Sequence, residues 1–168
     1  MAGDQNPEIA VEAIITILTA SLPAQLDAID TAMNDGITLD DIAHFYRAPL
    51  WAYDTLPACV VMAQRTVYPD LFRPDVIRQH VLELQVYLEC HEFTSTKLPQ
   101  EILTARLERT MKGIHTVILA NPTLDVSSVS KADHTLITGV EYSNLAPRGD
   151  EGGVFRGARM TLLSYFST

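Results

Sequence analysis

Three neighbouring residues, Cys90, His91 and Glu92, are the densest collection of potential metal ligands in this chain: a thiolate, an imidazole and a carboxylate in a row. Consecutive residues of a strand point to opposite faces, however, and no second Cys or His cluster supplies the rest of a tetrahedral shell. The run therefore reads as a buried cysteine beside exposed polar residues at a strand end. Cys59 and Cys90 both fall in apolar runs, where free cysteine behaves as a small hydrophobe, and two cysteines are too few for a disulfide framework. No metal or other cofactor is expected.

The remaining titratable groups are equally dispersed. His80 opens the apolar face of a strand, where a lone histidine is more often a hydrogen-bonded core residue than a catalyst. His115 lies on a helical stretch without a histidine four residues away. Asp40 and Asp41 could act as acid and base, but adjacent acids at a helix start are explained by the helix dipole. Gly149, Gly152 and Gly153 lack the strand-to-helix setting of a phosphate cradle and read as loop punctuation. The aromatic group Phe45, Tyr46, Trp51 and Tyr53 suits a contact surface, since Trp and Tyr are favoured interface anchors. The chain is expected not to be an enzyme. Trp51, Tyr53, Arg148, Asp150 and Glu151 are the candidate interface residues.

Bulk composition sets further bounds. The 168 residues suit one domain, and 12 basic against 21 acidic residues give a net charge of -9, which disfavours gripping nucleic acid. The N-terminus has no basic region ahead of an apolar core, so no signal peptide is expected, and no apolar run approaches the ~20 residues that span a bilayer. Folding in a cytoplasm is the expectation.

The elements follow from local pattern. Asn6-Pro7-Glu8 is an N-cap, a first-turn proline and a favourable charge, and Ile9, Ala13, Ile17 and Ala20 recur at helical spacing. Pro23 should end or kink this helix, with a second piece through Leu26, Ile29 and Met33 stopping at Asn34-Asp35-Gly36. Thr38 caps a short turn to Tyr46, and Pro49 and Pro57 then mark a loop. Residues 58–67 form a valine-rich run expected of a strand covered on both faces. Residues 79–90 alternate cleanly, with His80, Leu82, Leu84, Val86, Leu88 and Cys90 on one face, and should pair with 58–67 as an antiparallel hairpin.

Pro99 opens a helix whose stripe is Leu103, Leu107, Met111, Ile114 and Ile118, opposite Glu101, Glu108 and Lys112, and Asn121-Pro122 ends it. Strands at 134–142 and 154–166 follow, joined by a connector, 143–153, that is expected to be mobile. The order α-β-β-α-β-β predicts an α+β fold, a mainly antiparallel sheet flanked by helices, in a single domain spanning 1–168.

With that order, the Asn121-Pro122-Thr123-Leu124 segment after the long helix and the Val140-Glu141-Tyr142 strand, the chain resembles the tail terminator proteins of long-tailed bacteriophages, which complete the tail and join it to the head. The resemblance is one of pattern over roughly residues 7–33 and 57–168. Asp125-Val126 departs from the glycine-rich turn common in that family, and 34–56 reads as an insertion. The resemblance implies a structural virion protein, located in the tail and neck region, that forms a homo-oligomeric ring, commonly a hexamer. Such a ring ends tube polymerisation, with the tail tube protein and the head connector or stopper protein as partners, and DNA passes without specific binding; no membrane is involved. Two alternatives remain: another neck or head-completion protein, and a ferredoxin-like domain that binds a small ligand.

Overall fold

In the computed structural model, residues 6–49, 55–67, 78–92, 96–148 and 153–166 are described. Two helices, α1 (Pro7–Met33) and α2 (Pro99–Leu119), pack on one face of a sheet made of β1 (His44–Tyr46), β2 (Ala58–Val67), β3 (Arg78–Cys90), β4 (His134–Tyr142), β5 (Ala146–Arg148) and β6 (Gly153–Phe166). The strand order is β1-β2-β3-β6-β4, with β5 also paired to β6. Every pairing is antiparallel except β1 on β2. The α+β class and the β2–β3 hairpin are as expected. The C-terminal strand β6 lies between β3 and β4, so two α-β-β halves meet back to back along β3 and β6.

Pro23 neither ends α1 nor divides it, contrary to expectation. The helix runs unbroken for 27 residues because Ile14, Leu18, Leu22 and Leu26, all at most 1% exposed, form one stripe across the proline. Burying each of these contributes about 1.5–3 kcal/mol, together more than the ~3 kcal/mol cost of an interior proline. By length and mean composition this helix could also cross a membrane, although polar residues interrupt its apolar runs; in the fold its stripe is buried. Asn34 ends it in the left-handed conformation, its N–H donating to Asp30 O at 2.9 Å.

The second helix carries the predicted stripe, with Leu103, Leu107, Met111, Ile114 and Ile118 all buried. A Cβ on Gly113 would lie 2.9 Å from Leu26 Cδ2 and 3.3 Å from Leu22 Cδ1, so glycine there permits the close crossing of α1 and α2. Beneath the helices, β3 presents Leu82, Leu84 and Val86 at 0% exposure, as its alternation requires.

Residues 38–46 do not form a helical turn. The segment runs as loop into β1, which adds to the sheet edge parallel to β2, in register His44 with Ala58 and Tyr46 with Val60. The helix-dipole account of Asp40 and Asp41 therefore falls. Two arginines of α2 strap the loop down. Arg109 holds both carboxylate oxygens of Asp35 (3.0 and 2.6 Å), and Arg106 donates to Thr38 O (2.9 Å) and to Glu92 (2.9 Å). β2 is covered on both faces only over Ala58–Val61; Ala63, Gln64 and Arg65 are exposed. A bulge at Gln64 shifts the register there.

Candidate functional site

The side chains of the Cys90-His91-Glu92 run take different partners in the fold. Cys90 is 2% exposed and belongs to the core, His91 lies across Gly153, where a Cβ would come within 2.1 Å of its ring, and Glu92 reaches Arg106. All three nevertheless border one cleft of about 210 Å³, which Asp40, Glu89, Arg106 and Thr110 also line. Among the described residues, no three His, Cys, Asp or Glu side chains converge as metal ligands. Burial pushes the Cys59 thiol far above its ordinary range, which keeps it protonated and unreactive.

His80 is the hydrogen-bonded core histidine that its pattern suggested. It is 1% exposed, its Nδ1 lies 2.8 Å from Thr66 Oγ1, and its ring meets Phe166 edge to face at 4.8 Å. The strand register continues this polar row through Ser164 to Thr135, whose hydroxyls are 2.9 Å apart. Nothing in the sequence announced that row, because its members come from four strands. His115 is half-buried on α2. Asp41 borders a small cavity of about 50 Å³ with Leu18, Leu22 and Phe45.

Of the candidate interface residues, Trp51, Tyr53, Asp150 and Glu151 lie outside the described residues. Arg148 ends β5, whose backbone pairs Arg148 with Gly153. The first half of the connector is thus not free chain. Ser143 N donates to Gly157 O (2.9 Å), Gly157 N donates to Ser143 Oγ (3.0 Å), and Arg156 Nε donates to Ser143 O (2.9 Å). Arg156 also sits 5.6 Å over the Tyr142 ring and donates to Thr104 Oγ1, joining β4, β6 and α2. Burial, aided by the charge of Glu108, holds the Tyr142 phenol above its ordinary range against the opposing pull of Arg156.

The sheet face away from the helices carries the surface that sequence reasoning missed. A relay of side chains crosses it: Gln64 Nε2 donates to Glu83 (3.1 Å), Gln85 donates to Glu83, and the Tyr87 hydroxyl donates to Gln85. Arg159 joins Glu83 (3.8 Å) to Glu141 (2.5 Å). Tyr87 stacks on Phe155 with ring centres 5.8 Å apart, and it lies flat because Gly157 beneath has no side chain. Beside the relay, Tyr87, Glu141, Tyr142, Ser143 and Arg159 line a second cleft of about 260 Å³. At the edge, β4 ends the sheet, and Leu136, Tyr142 and Leu145 are each 41% exposed. Such an array can pair and pack against another protein.

No family model matches this chain, and no curated protein matches it. Among solved structures, a chain from a structure titled "Virion of native gene transfer agent (GTA) particle" aligns over 90% of this chain and 95% of its own length, at 13% identity and a TM-score of 0.34. A likeness of that degree carries no argument about function.

Proposed function

We propose that this chain is a structural virion protein of a long-tailed phage, a tail terminator that forms a ring at the head-proximal end of the tail tube, ends its growth and offers a docking face to the head connector. The observation that supports it best is the one-sided fold: helices cover one face of the sheet, while the other face and the β4 edge keep a polar relay and half-exposed apolar side chains. That is the layout of a subunit that completes its burial against neighbours. Each contact in a closed ring should bury on the order of 1,000 Å² or more. The acidic balance of the chain accords with a channel through which DNA slides without being held.

The test is imaging of the assembled particle. A closed ring of this chain between tail tube and head connector is expected; a single copy per particle, or its absence from particles, would reject the reading.

A further inference from the structure

The two edges of the sheet are unlike. On one side β1 offers three residues; on the other β4 offers nine, and among the described residues no strand lies along its outer side. It carries neither proline nor lysine, and its guards are one bulge and the charge of Glu141. Five of the seven exposed large apolar side chains among the described residues (Leu119, Val129, Leu136, Tyr142 and Leu145) fall between the end of α2 and the start of β5.

The bulge in β4 decides what can pair there. Before it, His134 and Leu136 stand opposite Tyr165 and Leu163; after it, Gly139 and Glu141 stand opposite Thr161 and Arg159. All four therefore lie on the open face, whereas in an unbulged strand His134 and Glu141 would point to opposite sides. Directly opposed residues of an antiparallel pair must share a face. For β4 against its own copy about a two-fold axis, that requirement selects registers that set an even-numbered residue opposite an odd-numbered one. In the register centred between Ile137 and Thr138, His134 meets Glu141, Leu136 meets Gly139 and Thr135 meets Val140. The chemistry of those pairs is complementary: an imidazole faces a carboxylate that bonds Arg159 through one oxygen and whose side chain is 73% exposed, and Leu136 lies over a glycine where an added Cβ would meet nothing within 4 Å.

We propose that the free protein pairs with a second copy of itself through the outer edges of β4, in this register, so that each His134 lies beside Glu141 of the partner subunit. The dimer covers this long outer edge until the subunit enters a larger assembly. The inference goes beyond the ring reading, and the two fail separately: a monomeric free chain would overturn the dimer and leave a ring in the particle untouched.

The test uses the full chain in solution. Sedimentation should show a dimer, and Glu141→Arg should lower its affinity roughly 10-fold by replacing the acceptor opposite His134 with a donor. Register is read by oxidation: His134→Cys mixed with Glu141→Cys should give a disulfide-linked dimer, while neither variant alone links efficiently. Cys59 and Cys90 are buried and stay silent. A wild-type monomer at every concentration tested, or a dimer in which each variant links to itself as readily as to the other, would overturn the proposal.

Discussion

The covered and open faces of this sheet are made of the same strands, yet they depend on different interactions. Toward the helices, β3 contributes Leu82, Leu84 and Val86, which need only volume and apolarity to fit beneath α1 and α2. Toward the open side the same strand contributes Glu83, Gln85 and Tyr87, held by a chain of directed hydrogen bonds ending at Arg159 of β6. One face is a packing problem and the other a pairing problem. Substitutions should separate them: covered-face changes cost stability, and open-face changes outside the buried part of the relay act mainly on association.

The largest loss is expected at the centre of the covered face. Leu84, at 0% exposure, sits mid-strand in the core beneath the helical layer, so Leu84→Ala should cost about 2–5 kcal/mol by cavity formation. Chemical denaturation measures it; a loss below ~1 kcal/mol would mean that this face can collapse around a void and is less tightly packed than its burial implies. Gly113→Val probes the same layer from above. The added methyls meet Leu26 and Leu22, and the helix pair must spread at a cost of about 1–3 kcal/mol.

An intermediate effect is expected at Glu83, where the faces differ most in kind. Its side chain is only 10% exposed although no helix covers it, because Gln64, Gln85 and Arg159 close over it. Glu83→Ala leaves those donors facing an empty site and should cost about 1–3 kcal/mol, whereas Glu83→Gln, keeping an acceptor, should cost less. Equal losses for both variants would show that charge rather than hydrogen bonding holds the relay.

The strap between α2 and residues 35–39 gives a smaller, pH-dependent effect. Arg109, with Lys97 assisting, holds the Asp35 carboxyl well below its usual range. A carboxyl with a depressed folded-state pKa adds stability that is fully present above its unfolded pKa of ~3.9 and is lost as pH falls below it. Amide exchange at Ile37 and Leu39, corrected for intrinsic rates, should thus be flat from neutral pH down to about pH 4 and rise only below. Asp35→Asn should raise it at neutral pH.

How far the sequence discloses this arrangement depends on the range of the interactions. Alternation along 79–90 and the stripe of α2 are local, and both are legible because burial repeats at the period of the backbone. Pro23 misled because a local penalty was set against burial that only the tertiary fold supplies. β1 and β5, three residues each, carry no period at all. The bulges at Gln64 and Thr138 leave no mark in composition, yet the second decides which residues share the open face. The closure over Glu83 is not legible either, because the arginine that closes over it lies on β6, far along the chain.

The smallest effect on stability, and the sharpest on association, belongs to the β4 border. Leu136, Tyr142 and Leu145 are each 41% exposed, so replacing exposed carbon with polar atoms removes little burial, and surface changes usually stay within ~0.5 kcal/mol. Tyr142 is the partial exception, because its ring carries Arg156 and is itself partly buried. Leu136→Ser with Leu145→Ser is therefore the cleaner pair. It should leave the denaturation midpoint nearly unchanged while reducing assembly into particles, scored by complementation of a particle lacking this chain. Should the pair assemble as well as wild type, the apolar border is not a contact surface, and the division of labour between the two faces would lose its functional half. Should it instead unfold the protein, the border belongs to the core of the subunit, and the covered layer extends further around the sheet than the helices alone reach.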